Sequence, residues 1–448
     1  MTEQTPVTRF IHALGYDALP PKVRTQAELC LLDLTGIGIG GAQTDASRII
    51  SAHANTQFGG NVPIFFDGRR ASASGAALAM GMTIDALDGH DGFNPAKGHA
   101  GCGVFAGTMA MAQDLGISDG KEVLTAIVLG YEIACRVAMA QHATVPDYHT
   151  SGAWVAVAVA AIGARLMRLD ADKTRHALGI AEYHGPRSQM MRCIDHPAMV
   201  KDGSGWGAMA GVSAGFLARD GFTGAPALTV EEAPDVWDDL GHRWLILEQY
   251  FKPYPVCRWA QAPVEGVLEL RGAHGLVAAD VARIEVETFH ESVRLATREP
   301  ATTDAAQYST SFPCAVAMVR GAVGPADIAD GMLRDPEVLR LSGSMVLREH
   351  DRANAAFPDT RLARITLELT DGRRLQSGWK TPRWDADAPP TETELREKFH
   401  VIAGEIIGVD AAASVEAAIA QLPGAGPGPL ATLLSQPMRR ATTSGSTA

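Results

Sequence analysis

The run SASGAALAMGMTIDALD, starting at Ser72, is built almost wholly of small and apolar residues, and it breaks at once into DGHDGFNPAKGHAGC. Helices of Ala and Gly carry little side-chain bulk. They are stable where neighbouring helices press close, so they commit the chain to a dense all-α core. The pattern recurs in VRTQAELCLLDLTGIGIGG (23–41), in LTAIVLGYEIACRVAMA (124–140) and in WVAVAVAAIGARLM (154–167), which is apolar nearly all round and so reads as a buried helix. Further helices are expected at 6–16, 104–115, 170–181 and 207–220. VPIFFDGRR (62–70) reads as a short strand and turn. Strand signals are otherwise sparse before residue 272, and no G-x-G-x-x-G follows a strand, which argues against a dinucleotide-binding fold.

The pattern changes after about Gly272. VARIEVETF (281–289) alternates every second residue, as a half-buried strand does. RLARITLELTDGRRLQSGW (361–379) reads as a hairpin turning at Asp371-Gly372, with a strand at MVLREHD and helices at 305–321 and 326–334 between them. TETELREKFHVIAGEII (391–407) returns to helix. The chain is therefore mainly α: residues 1–272 and 396–438 form a large all-helical domain, 273–395 a smaller α+β domain, and 439–448 a disordered tail.

The formal net charge of −12 disfavours non-specific binding to nucleic acid or to an anionic membrane. An anionic substrate would need a local basic pocket. The six cysteines are scattered with no C-x-x-C pair, which disfavours a disulfide framework, a zinc ribbon and an iron–sulfur signature. No signal peptide precedes the first helix and no apolar run reaches the roughly 20 residues of a membrane span, so the chain is expected to be cytoplasmic.

Ordering a Gly-rich loop full of ionisable groups costs entropy, and such a loop behind a buried helix is read as one wall of an active site. It holds Asp88, His90, Asp91, Lys97 and His99. Its spacing matches no standard metal-ligand pattern, and no metal is expected. Other ionisable residues also sit beside turns. His149, in DYHTSG, precedes a buried helix and could project from its N-terminus into a cleft. Lys201 lies in AMVKDGSGWG. Lys252 and Arg258 bracket FKPYPVCRW, where two prolines fix the backbone. Tyr308, in AQYSTSF, opens a helix and could donate a hydrogen bond.

These segments, in this order, resemble the MmgE/PrpD family, which includes 2-methylcitrate dehydratase, cis-aconitate decarboxylase and iminodisuccinate epimerase. The carriers are LLDLTGIGIGGA (31–42), AALAMGMTIDALDGHD (76–91), LTAIVLGYEIACRVAMA, YHTSG with its following helix, LARDGFTGAP (217–226), YPVC (254–257), AQYSTSFPCAVAMVRG (306–321) and KTPRWDADAPPTETELREKF (380–399). The resemblance implies an all-helical domain, a smaller α+β domain, a cleft between them, a homodimer, and no metal or organic cofactor. It maps the family's site onto Asp88, Asp91, His99, His149, Lys201 and Lys252. The chain departs from the family at Gly92-Phe93, where polar residues are common, at Gln261 and Phe312, and across 184–206.

The implied chemistry is proton movement at a carbon next to a carboxylate of a small di- or tricarboxylic acid. His149 or His99 would be the base, and Asp88 or Asp91 would orient it. Tyr308 or a histidine would protonate a departing hydroxyl. Lys201, Lys252, His99 and Arg258 would stabilise the carbanion-like intermediate, and Lys252, Arg258 and Lys97 would bind the anionic substrate. A dehydratase leads. A decarboxylase or an epimerase is the alternative, and a non-catalytic carboxylate-binding protein is the reading from another class.

Overall fold

The computed structural model describes residues 5–438, Asp330 excepted; the expected tail 439–448 lies outside the described residues. The helical part is organised around helices α1 (Pro21–Gly41), α2 (Ala73–Asp85), α3 (Gly101–Asp114), α4 (Gly120–Thr144), α5 (Gly152–Leu166) and α6 (Ser204–Arg219). Every residue of α5 except Arg165 is buried, as an all-round apolar helix requires. α6 crosses both α5 and α2. The crossing is close because small residues meet: a Cβ on Gly207 would lie 2.3 Å from the Gly152 carbonyl oxygen. α4 is long and apolar enough to span a membrane by length and composition, but it is buried in the core, as a core helix of a soluble protein is.

The smaller part is a four-stranded sheet in the order β2-β1-β3-β4, from β1 (Val281–Thr288), β2 (Val346–Glu349), β3 (Arg364–Leu369) and β4 (Arg374–Gln376). β1 pairs in parallel with β2 and antiparallel with β3. The β3–β4 hairpin turns at Asp371-Gly372, where Gly372 has φ +87°. α7 (Arg258–His274), expected within the helical domain, packs instead on β3 and on helix Ser311–Arg320. α8 (Glu392–Ile407) returns to α1, with the Phe399 ring against Gly36 and Lys398 paired to Asp33 at 2.5 Å.

Two expected helices are interrupted. The segment 305–321 breaks between Gln307 and Ser311, because Ser309 bridges to Ala296 and its hydroxyl bonds the Thr297 carbonyl. That break sets Tyr308 outside both helices. The expected helix at 326–334 is replaced by two short 3₁₀ turns, Pro325–Ile328 and Met332–Arg334.

Close approach predicts opposite outcomes for one substitution at two glycines. A Cβ on Gly41 would sit 2.0 Å from the Thr83 carbonyl oxygen, so Gly41→Ala is expected to lower stability by about 1–3 kcal/mol. Exposed Gly272, inside α7 with nothing near its Cβ position, is expected to gain about 0.5–1 kcal/mol as Ala. Urea denaturation of the two variants checks both.

Candidate active site

Helix α2 delivers the chain to Asp85 and releases it into the loop 86–100, which α3 then ends. The loop is buried throughout most of its length, so its polar backbone atoms need partners from elsewhere. Gln307 donates to the Ala86 carbonyl (2.9 Å) and accepts from the Asp88 N–H (2.9 Å). Lys398 donates to the Gly89 carbonyl (2.7 Å). Gly92-Phe93 pair antiparallel with Gln249-Tyr250. A Cβ at Gly92 would lie 2.4 Å from the Tyr250 hydroxyl and 2.7 Å from His99 Nδ1, so the departure from the family's polar residue there is a packing requirement of this loop. Ser151 accepts from the His99 N–H (2.9 Å) and Trp154 donates to its carbonyl (3.1 Å).

A narrow cavity opens against this loop, with Asp88, Lys97 and His99 on one wall. Tyr148, Met190, Ile194 and Asp202 come from the helical part. Arg258, Tyr308 and Arg361 complete the lining, with Tyr250 from the strand that pairs with the loop. Lys97 and Lys201 both have positive φ, +52° and +49°, a conformation that costs a non-glycine residue about 1–3 kcal/mol and tends to cluster at functional sites.

His99 is the centre of this arrangement. Its Nδ1 donates to the Asp91 carbonyl (2.5 Å), which leaves the Nε2 lone pair facing Asp88 Oδ1 at 3.9 Å and Asp202 Oδ2 at 3.8 Å. Burial, then the charges of Lys252 and His90, hold its pKa well below the ordinary histidine value, so it is neutral at pH 7. The neighbouring His90 shifts the other way: burial opposes its charge, but Asp85, 3.6 Å from Nε2, lifts its pKa.

Asp88 is buried and bonded to the Lys252 ammonium. Burial would raise its pKa, but the Lys252 ammonium, with Lys201 nearby, holds it well below the usual carboxylate range. Asp202 lacks such a pair. Burial first, then Asp85 and Asp88, push its carboxyl up to about 7, although Ser151 donates to Oδ2 at 2.7 Å. The phenols of Tyr148, Tyr250 and Tyr308 are all driven up by burial, so each stays a hydrogen-bond donor.

The cations fall into two layers. Lys201 and Lys252 lie beneath the cavity: Lys201 bonds Gln307 and lies 4.9 Å from the Tyr308 ring centroid, and Lys252 bonds Asp88. Lys97, Arg258 and Arg361 face the cavity itself. Arg258 lies 3.9 Å above the Tyr250 ring and 2.7 Å from Asp385. Asn94 donates to Asp385 (2.6 Å) and accepts from Arg361 (2.8 Å), which ties the two guanidinium groups together across the loop. Buried Arg361 Nε has no hydrogen-bond partner among the described residues.

Besides Lys201 and Lys252, which do not line the cavity, two more expected site residues are placed differently. His149 is not among the cavity's lining side chains; it bridges to Gln189 and faces Arg187 and Asp147, while its neighbour Tyr148 lines the cavity. The Asp91 carboxylate turns into the core to accept from Tyr131, and only its carbonyl reaches His99. Asp202, Gln307, Tyr148, Tyr250 and Arg361 were not singled out from the sequence. Asp202 and Gln307 adjoin Lys201 and Tyr308, which was the available signal. Among the described residues, no three His, Cys, Asp or Glu side chains converge as metal ligands would.

The N-terminal and C-terminal halves of the chain each match a domain of one family. Residues 6–236 match the MmgE/PrpD N-terminal domain and residues 254–423 the MmgE/PrpD C-terminal domain. The chain belongs to the MmgE/PrpD family. The two parts of the fold described above are that family's architecture. Among curated proteins, it is 23% identical over 480 aligned residues to a cis-aconitate decarboxylase-like protein, oryM, of Aspergillus oryzae, covering 94% of this chain and 96% of that one. It is 23% identical over 447 residues to cis-aconitate decarboxylase of Mus musculus, covering 92% and 89%. The two domain matches show the family, and both relatives carry names built on the decarboxylation of cis-aconitate.

The Asp91 carboxyl gives a pH test of its surroundings. Burial, with Asp33 nearby, raises it from 3.8 to about 6. Between those values the folded chain holds a proton that the unfolded chain releases, so this group makes stability fall as pH rises from about 4 to about 6, by about 3 kcal/mol. Asp91→Asn is expected to flatten that slope in denaturation curves taken at pH 4.5, 6 and 8.

Proposed function

We propose that the protein is a cofactor-independent lyase that moves a proton at a carbon beside a carboxylate of a small di- or tricarboxylic acid. The observation that carries this is the neutral His99, whose bare Nε2 faces a cavity lined by Lys97, Arg258 and Arg361. A base must be unprotonated to accept a proton from carbon, and His99 is held in that state by burial and by Lys252. Taking that proton puts negative charge on the adjacent carboxylate. Preorganised cations and phenol donors in a water-poor cavity stabilise such charge, at about 3 kcal/mol for each well-placed group.

Arg258 and Arg361, joined through Asp385 and Asn94, suit a carboxylate bound away from the reacting carbon, by the planar fork geometry that guanidinium offers. Lys201 and Lys252 act from beneath. They fix Gln307 and Asp88, and so fix the loop that carries His99.

Dehydration is the leading reaction, because it needs a base and a proton donor on one cavity. Decarboxylation is the second reading, favoured by the names of the two relatives. In decarboxylation the carbanion left by carbon dioxide would take its proton at the same place.

Incubation in D₂O with citrate, 2-methylcitrate, cis-aconitate, malate, tartrate and iminodisuccinate, followed by proton NMR, tests the reading. Deuterium is expected at a carbon next to a carboxylate, and the accompanying product separates dehydration from decarboxylation and epimerisation. Silence from folded protein across the panel would count against it. His99→Asn is expected to lower kcat/KM by about 10²-fold or more with the melting temperature kept. Because the His99 pKa lies below its ordinary value, the acid limb of kcat/KM is expected below pH 6.5.

A further inference from the structure

Asp202 is the most unusual carboxylate in the protein. It lines the cavity, it is buried, and its Oδ1 has no hydrogen-bond partner among the described residues. A buried ionised carboxylate without a cation is costly, and a protonated one needs something to donate to. The neighbouring lysines are engaged elsewhere: Lys252 with Asp88, and Lys201 with Gln307. Ser151 fixes Oδ2 at 2.7 Å and, through the His99 N–H at 2.9 Å, holds the two residues in register. That leaves Oδ1 as the free position, in the same cavity as the His99 Nε2 lone pair.

We infer that Asp202 is the catalytic acid that complements His99, and that a proton passes from His99 back to Asp202 between turnovers. This rests on the lyase reading above. In the dehydration, His99 Nε2 takes the proton from the carbon next to the carboxylate. The electron pair of that C–H bond passes first onto the adjacent carboxylate, giving a carbanion-like intermediate, and then forms the C=C bond. The C–O bond to the neighbouring carbon breaks with its pair, and the departing oxygen takes the proton from Asp202, leaving as water. The step leaves an imidazolium and a carboxylate. The nearer carboxylate oxygen, Oδ2, lies 3.8 Å from Nε2, beyond hydrogen-bond reach, so the proton returns across a single bridging water to the free Oδ1, and both groups are restored.

The surroundings agree with this assignment from every side. Asp85 from α2, Asp88 from the loop, Tyr148 and Tyr308 from the cavity lining, and Cys193 from the short helix Met191–Asp195 give Asp202 no neutralising charge. Lys252 is the cation acting on it, and it acts across Asp88. The same acidic neighbours that raise the Asp202 carboxyl do not raise His99, because burial, Lys252 and His90 outweigh them there. Two groups whose environments drive them apart in this way make a base and an acid at one pH.

Asp202→Asn keeps the shape and the acceptor for Ser151. With any substrate the wild type dehydrates, the variant is expected to retain deuterium exchange at the carbon within about threefold while dehydration falls by about 10²-fold or more. The wild-type profile of kcat/KM is expected to fall on its alkaline side near pH 7, and that limb is expected to vanish from the residual activity of the variant. Asp202→Glu is expected to recover part of the rate. Should Asp202→Asn melt early, Asp202→Ser, which leaves space and no clash, gives the same comparison. Unchanged dehydration in a folded variant overturns the inference. So does an equal loss of exchange and dehydration, which would make Asp202 a support for His99 only. Silence of the wild type towards the whole panel would overturn the lyase reading and this inference with it, whereas a working wild type with an indifferent Asp202 overturns the inference alone.

Discussion

The buried pair between Lys252 and Asp88 is the interaction on which the site depends. Both side chains are nearly inaccessible, so each charge has been taken out of water at a cost of several kcal/mol. Their attraction offsets that cost only because the surrounding hydrogen bonds are also made: Lys252 reaches the Asp88 carbonyl at 3.2 Å, and Gln307 holds the Asp88 N–H. The pair joins the 249–257 segment to the loop after α2. The two-residue ladder from Gly92-Phe93 to Gln249-Tyr250 is the second tie between the same segments. With both ends held, His99 has one place to stand, and the Asp91 carbonyl decides which of its nitrogens carries the proton.

From this pair follows the division of protonation states. The positive charge of Lys252 bears on His99 and helps to keep it neutral. The negative charges of Asp85 and Asp88 bear on Asp202 and help to keep it protonated. One small cavity thus holds a base and an acid ready at the same pH, with arginines above and lysines below. Those lysines do not reach out to a ligand. They position the loop and set the local potential, while Lys97, Arg258 and Arg361 present charge to the cavity.

The helical core was legible because Ala- and Gly-rich periodicity has one physical outlet, close packing, and α2, α4, α5 and α6 fall where that pattern places them. The sheet strands were legible from alternation and from the Asp371-Gly372 turn. The loop from Asp88 to His99 was legible because so many ionisable groups on a Gly-rich break are hard to explain otherwise. The partners were not. Gln307 reaches the loop and Arg361 reaches the cavity, each over 200 residues from Asp88 in sequence, and no local pattern encodes such a meeting. Whether Tyr148 or His149 faces inward is a matter of one residue of register at a turn, which the bridge from His149 to Gln189 decides. Asp202 follows Lys201 just before α6, and only the tertiary structure shows that its carboxyl is buried with no cation bonded to it. The placement of α7 against β3 likewise depends on Gly266 receiving the Ile365 side chain.

The most direct test of this account is the protonation state of His99. In protein labelled with ¹⁵N at histidine side chains, the His99 resonances are those absent from His99→Asn, and their shifts report which ring nitrogen bears a proton. The account predicts a neutral ring at pH 7, protonated at Nδ1 and bare at Nε2, that resists titration until well below the ordinary histidine value. An imidazolium at pH 7, or a proton resting on Nε2, would contradict it.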